Sequence, residues 1–250
     1  MRMVGLQLYS IREDIEKDFA GTLKAVAEYG YDGVQLAGDY GKEASEWKTA
    51  LNGLGLKPAG MHVPLEVLEN EALLNETIQF SKEIENTKLI IPYLPEEWRT
   101  EEKYKEVAEM LNVTGRRVQE QGLTFGYHHH DFEFLQVNET TGWDILEQKT
   151  VPDVVHFEID VYWTEYSGVQ TNELLKRLNK RVLSLHIKDM VQENGEKKST
   201  SVGKGTLKLK EIILQTHTDW LIVEQEHFNG TPLNEVSTSA AVIKNWLGEA

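Results

Sequence analysis

Apolar residues in this chain follow two alternating rhythms. Short, mostly apolar runs begin near Met3, Gly33, Ala59, Lys88, Thr124, Val155, Val182 and Trp220. Between them, apolar side chains recur at helical spacing: Phe19, Leu23 and Val26; Trp47, Leu51 and Leu54; Leu73, Thr77, Phe80 and Ile84; Tyr104, Ala108, Leu111 and Val118. The runs predict buried strands, and the spaced stretches predict helices with one apolar face. Ser10-Ile11-Arg12-Glu13 reads as a capping box that opens the first helix, and Gly30, Gly55 and Gly122 stand where helices should end. Strand and helix in strict alternation predict a parallel sheet with right-handed crossovers. Eight such units predict an α/β fold, a single (β/α)8 TIM barrel forming one domain over residues 1–250, and 250 residues is the usual length for one. An open doubly wound sheet also fits the alternation. Its dinucleotide-binding version loses support because no G-x-G-x-x-G follows the first run.

The polar exceptions within the runs cluster at their C-terminal ends. After Leu123 and Phe125 comes Tyr127-His128-His129-His130-Asp131-Phe132-Glu133-Phe134. The next runs end as Phe157-Glu158-Ile159-Asp160-Val161-Tyr162-Trp163, His186-Ile187-Lys188-Asp189 and Val223-Glu224-Gln225-Glu226-His227. In an α/β barrel these ends converge on one mouth. Two-residue alternation places His186 and Lys188 on one face. Acids, an imidazole and an ammonium buried together are costly unless they pair or hold a cation. A lone acid after a strand usually caps a helix; acids ending four successive strands, with a histidine still on its strand, point instead to a divalent metal site. Lys188 fits either an electrostatic contact to a substrate oxygen or a salt bridge to Asp160 or Glu158. His62, in Gly60-Met61-His62-Val63-Pro64, fits a hydrogen-bonded structural role or a substrate contact, and Trp163 and Phe134 fit pocket walls or core packing.

Composition narrows the partners. Lys plus Arg number 26 against 41 Asp plus Glu, a net charge of −15 that repels nucleic acid and anionic lipid. The chain has no cysteine, so any metal must be held by histidine and carboxylate, as suits Mn²⁺ or Mg²⁺, with Co²⁺ or Zn²⁺ also compatible. The start Met1-Arg2-Met3-Val4-Gly5 lacks a signal-peptide apolar region and no run is long enough for a membrane span, so a soluble cytoplasmic protein is expected. Residues 191–205 read as an exposed loop or lid on the active face. Within it, Gly203-Lys204-Gly205 fits a turn or a phosphate cradle. Trp47, Trp98 and Trp246 fit either contacts in a homo-oligomer or packing of helix on barrel.

Taken together, Leu6-Gln7-Leu8-Tyr9-Ser10, the segment Tyr127 to Phe134, Glu158 to Trp163, His186-Ile187-Lys188-Asp189 and Val223-Glu224-Gln225 resemble the xylose-isomerase-like TIM-barrel superfamily of sugar phosphate isomerases and epimerases. The resemblance implies one divalent ion held by Glu133, Asp160, His186 and Glu224, with Glu133 and Glu224 doubling as acid and base on a small-molecule sugar or sugar phosphate. His62, His128, His130, Trp163 and Lys188 are the implied substrate contacts. Proton abstraction beside a carbonyl would give an enediolate, which is reprotonated by an isomerase or epimerase or loses a β-substituent in a lyase or dehydratase acting on a keto-sugar or keto-inositol. A sugar-binding barrel without turnover is a further reading, because Gln35 replaces an acid usual on the second strand. A DNA-repair endonuclease of the same superfamily is opposed by the net charge of −15. Glu133 lies well past the apolar part of its strand, so His128 or His130 is an alternative ligand from that strand.

Overall fold

The computed structural model describes residues 2–248; Met1, Glu249 and Ala250, at the ends of the expected 1–250 span, lie outside the described residues. Eight parallel strands close into one ring: β1 (Met3–Gln7), β2 (Gly33–Ala37), β3 (Lys57–His62), β4 (Lys88–Ile91), β5 (Thr124–His128), β6 (Val155–Asp160), β7 (Val182–Ile187) and β8 (Trp220–Val223). Each strand pairs with its sequence neighbours, and β1 closes the ring against β8. The strands begin where the apolar runs begin, except that β3 starts at Lys57, whose partner is Gly33. Among the described residues, no helix is long and apolar enough to cross a membrane.

Outward-facing side chains such as Val4, Leu6, Val34 and Leu36 are fully buried under the helices, which contribute Leu23, Val26, Trp47 and Leu51. Burying a side chain of this kind is worth about 1.5–3 kcal/mol, so this outer layer holds the helices to the ring. Trp47 therefore belongs to the core. Inside the ring, one end is plugged by Ala59, Trp220 and Ile222 with Met3 packed against them. Along the strands towards their C-terminal ends, the interior turns polar, with Gln7, Gln35, Glu158, Ser184 and His186 all fully buried.

Two register shifts fall beside this polar layer, between Val34 and Gln35 on β2 and between Phe157 and Glu158 on β6. Such irregularities re-aim side chains at a barrel rim. At the first, Gly60 of β3 adopts φ +152, and a Cβ there would lie 3.2 Å from the amide nitrogen of Gln35. Glycine alone suits both the backbone and the close approach.

Three local expectations change. The first turn, Leu8–Ile11, is 3-10 and leads into the helix Arg12–Lys17 with no side-chain cap; Ser10 Oγ instead accepts from the backbone of Gln225, tying β1 to the exit of β8. The stretch expected as an open loop is an antiparallel hairpin, Asp189–Glu193 against Glu196–Thr200, turning at Asn194 and Gly195, both with positive φ. The amides of Gly203 and Gly205 already donate to the carboxylate of Asp189, so the chain's own anion fills the suggested phosphate cradle.

Candidate functional site

The polar interior is built in two tiers. Glu158 and Asp160 both face inward from β6, and strand register sets Glu158 beside Ser184 and Asp160 beside His186 of β7. Glu158, foreseen only as an ion-pair partner for Lys188, anchors the lower tier. One of its oxygens lies 2.7 Å from His62 Nε2, 2.9 Å from His186 Nε2 and 3.3 Å from His128 Nδ1. The other accepts from Gln35 Nε2 and Ser184 Oγ, each at 2.6 Å. Burial alone would raise this carboxyl, but His186, His128 and His62 hold it well below the usual carboxylate range. Gln35, standing where the family usually has an acid, thus bonds directly within the site, and its carbonyl accepts from Gln7.

The upper tier opens to the mouth. His186 Nδ1 lies 3.1 Å from Glu224 Oε2. Both ring nitrogens of His186 therefore face acceptors. Although burial alone would depress it, Glu158 and Glu224 hold this imidazole up at about 10, and an ion bound at Nδ1 would have to displace the proton there. Lys188 is fully buried, its ammonium 2.9 Å from Asp160, 2.7 Å from Glu224 and 2.6 Å from Glu226. It makes no pair with Glu158 comparable to these. Burial raises Asp160 to about 6 against the pull of Lys188 and His186, whereas Glu224 is held well below the ordinary range because Lys188 and His186 outweigh its burial.

His128, Asp160, His186 and Glu224 each offer one ligand atom, all within 4.8 Å of one another; His62, His128, Glu158 and His186 form a second such group. Three of the four residues foreseen as ligands thus come together in the first group, joined there by His128 of β5. Burial and the neighbouring His186 push His128 down to about 3, leaving the neutral imidazole that coordination requires. Asp160 Oδ2 is buried and faces the Lys188 ammonium 2.9 Å away, an acceptor whose surroundings already suit a cation. The resulting two-nitrogen, two-oxygen donor set fits a divalent ion such as Mn²⁺ or Zn²⁺.

Glu133 is not brought into either group. The chain leaves β5 and enters a 3-10 turn, Phe132–Phe134, which directs the carboxylate back to the hydroxyl of Tyr127 and the backbone N–H of His130. There burial pushes it up to about 7. His129, between two cavity histidines, faces away. Its Nε2 accepts from the Asp160 amide and its Nδ1 donates to the carbonyl of His130, locking the segment to β6.

A cavity of about 760 Å³ opens over the upper tier, with His62, His128, His130, Glu224 and Glu226 at its floor and Tyr9, Val63, Pro64, Pro92 and Tyr93 on its walls. His62 both lines this cavity and spends its ring nitrogens on Gln7 and Glu158. Trp163 stands at the side, its ring 5.7 Å from His130 and 5.3 Å from the Lys188 ammonium, whereas Phe134 packs on His129 and Trp143. Glu226 is fixed by the hairpin, since Ser199 Oγ accepts from its backbone N–H.

A family model described as xylose isomerase-like TIM barrel matches residues 23–246. Over 96 residues the chain is 35% identical to an inosose dehydratase of Clostridium perfringens, a stretch that covers 38% of this chain and 32% of that relative. The curated relative is thus matched over less than two thirds of its length. Among solved structures, a sugar phosphate isomerase/epimerase from Parabacteroides distasonis has a TM-score of 0.83 at 24% identity, covering 97% of this chain and 98% of that one. The IOLI protein, solved with a bound zinc atom, has a TM-score of 0.75 at 14% identity, with 99% and 98% covered.

Proposed function

This chain belongs to the xylose isomerase-like TIM barrel family, and from that premise we propose that it is a divalent-metal-dependent isomerase or epimerase of an unphosphorylated sugar or sugar derivative. One observation carries the reading: His128, Asp160, His186 and Glu224, at the ends of four strands, come within coordination reach of one another, with His128 and Glu224 lining an open cavity. A divalent ion held there would act as a Lewis acid, stabilising the negative charge that develops on adjacent substrate oxygens.

The chain's own groups supply the proton transfers. Glu224, kept ionised by Lys188 and His186, takes the proton from the carbon beside the carbonyl, giving the enediolate. His130 lines the same cavity and is kept neutral by burial, so its ring contacts a substrate oxygen, while the protonated Glu224 itself returns the proton to the enediolate carbon. Glu133, holding the His130 backbone, acts as a positioning residue in place of the acid or base role implied by the resemblance. Walls of tyrosine, proline and valine seat the apolar face of a sugar ring and exclude water.

No lysine or arginine is among the residues lining the cavity, and Glu224 and Glu226 face into it. With Lys188 and the proposed ion engaged by these two carboxylates, the lining leaves no further cation for a phosphate dianion to pair with. This charge pattern supports an unphosphorylated substrate.

A lyase reading has separate support in the 35% match to an inosose dehydratase. It shares the first proton abstraction and differs in the departure of a β-hydroxyl or glycosidic group. Incubating Mn²⁺-loaded protein with keto-sugars, their phosphates and keto-inositols in D₂O, followed by NMR, tests both. Deuterium entering an otherwise unchanged ketose supports the isomerase, and an unsaturated ketone supports the lyase. Absence of exchange into every unphosphorylated ketose and inosose would overturn the enzymatic reading.

A further inference from the structure

We propose that Lys188 is a built-in cation that occupies the metal position while it is empty and is handed over to Glu226 when an ion binds. The inference rests on the metal reading above and adds a residue that controls loading. Its basis is the placement of one ammonium. Nζ of Lys188 lies 2.9 Å from Asp160 Oδ2 and 2.7 Å from Glu224 Oε2, both on side chains of the first four-residue group. Asp160 Oδ2 has no other partner at such a distance, so the ammonium stands where a cation would satisfy this acceptor.

A dication held by Asp160 and Glu224 would stand close to that ammonium, and like charges that near one another in a buried site repel strongly. The ion and Nζ cannot share the place. The exit is already formed: Nζ hydrogen-bonds Glu226 at 2.6 Å, and Glu226 is the most exposed of the three acids, with 28% of its side chain accessible at the cavity floor. Releasing Asp160 and Glu224 while keeping Glu226 takes only a change at the end of a flexible side chain. The rings of Trp163 and Tyr162, 5.3 and 5.6 Å from Nζ, flank it and favour a cation there.

Mn²⁺ titration calorimetry on the metal-stripped protein tests the exchange. Lys188→Met should bind Mn²⁺ about 10-fold or more tighter than the unaltered protein. Glu226→Gln should bind several-fold more weakly, and in the Lys188→Met background that loss should shrink, because no ammonium then needs a new partner. Equal or weaker binding by Lys188→Met, or an unchanged Glu226→Gln loss in both backgrounds, overturns the exchange. Absence of Mn²⁺ binding by either the unaltered protein or Lys188→Met removes the metal site itself. Should Lys188→Met fail to fold, a crystal of the unaltered protein soaked in Mn²⁺ decides. The exchange predicts Nζ on Glu226 alone, and an Nζ still bridging Asp160 and Glu224 beside a bound ion overturns it.

Discussion

Glu158 Oε1 lies 2.9 Å from Nε2 of His186, so an acid deep in the barrel sets the orientation of a ring whose other nitrogen faces the mouth. Groups that fix a metal-ligating histidine from behind tune its affinity for the ion, and their loss typically costs about 10- to 100-fold in binding. Glu158→Gln is expected to weaken Mn²⁺ binding by about that factor, measured by calorimetry, with a shift in the ¹⁵N resonances of His186. Unchanged resonances and affinity would assign Glu158 to packing alone.

Glu224→Gln keeps the shape of the side chain and removes its basicity. We expect kcat to fall by about 100- to 10,000-fold, the range for loss of a general base. Solvent deuterium exchange into the substrate should fall in parallel. Near-normal exchange would remove Glu224 from the proton-transfer step.

Glu133 supplies a pH signature. Burial raises it from 4.5 to about 7, so it favours the folded state when protonated. That contribution is fully present below pH 4.5 and is lost as pH rises through 7. Glu133→Gln, which never ionises, should gain stability relative to the unaltered protein across this window, by an amount on the order of 3 kcal/mol. Urea unfolding at pH 5 and pH 8 checks this; a difference between the two proteins that does not change with pH would contradict it.

At Gly205, a Cβ would lie 2.3 Å from Asp189 Oδ1 and 2.4 Å from the carbonyl of Met190. Gly205→Ala must therefore push the loop off Asp189, at a cost of about 2 kcal/mol. Faster hydrogen exchange at the amides of Gly203, Gly205 and Leu207, with the barrel core unaffected, is the expected reading.

Strand-end chemistry was legible because the residues that carry it interrupt apolar runs. Asp160, His186 and Glu224 each follow such a run, and the structure gathers them. Glu158, Gln35 and Gln7 were less legible as a unit, because what joins them is contact across the barrel, and the register shifts at Gln35 and Glu158 leave no mark in local spacing. For Glu133, the resemblance pointed into the site while a local turn and two hydrogen bonds direct the carboxylate elsewhere. The hairpin after β7 could have been read: Asn194-Gly195 is a two-residue turn that favours positive φ and strands pairing on either side. Lys57 and Pro58 hid the start of β3 because neither looks like a buried strand residue.

The carboxylate of Asp189 accepts from the amides of Met190, Gly203, Gly205 and Leu207. One side chain thereby ties off both ends of the excursion at its base. Everything beyond the knot can be lengthened, shortened or exchanged for another cover without disturbing the ring beneath, so the hairpin is the place where a barrel of this design can acquire a new preference while its inner tiers stay as they are.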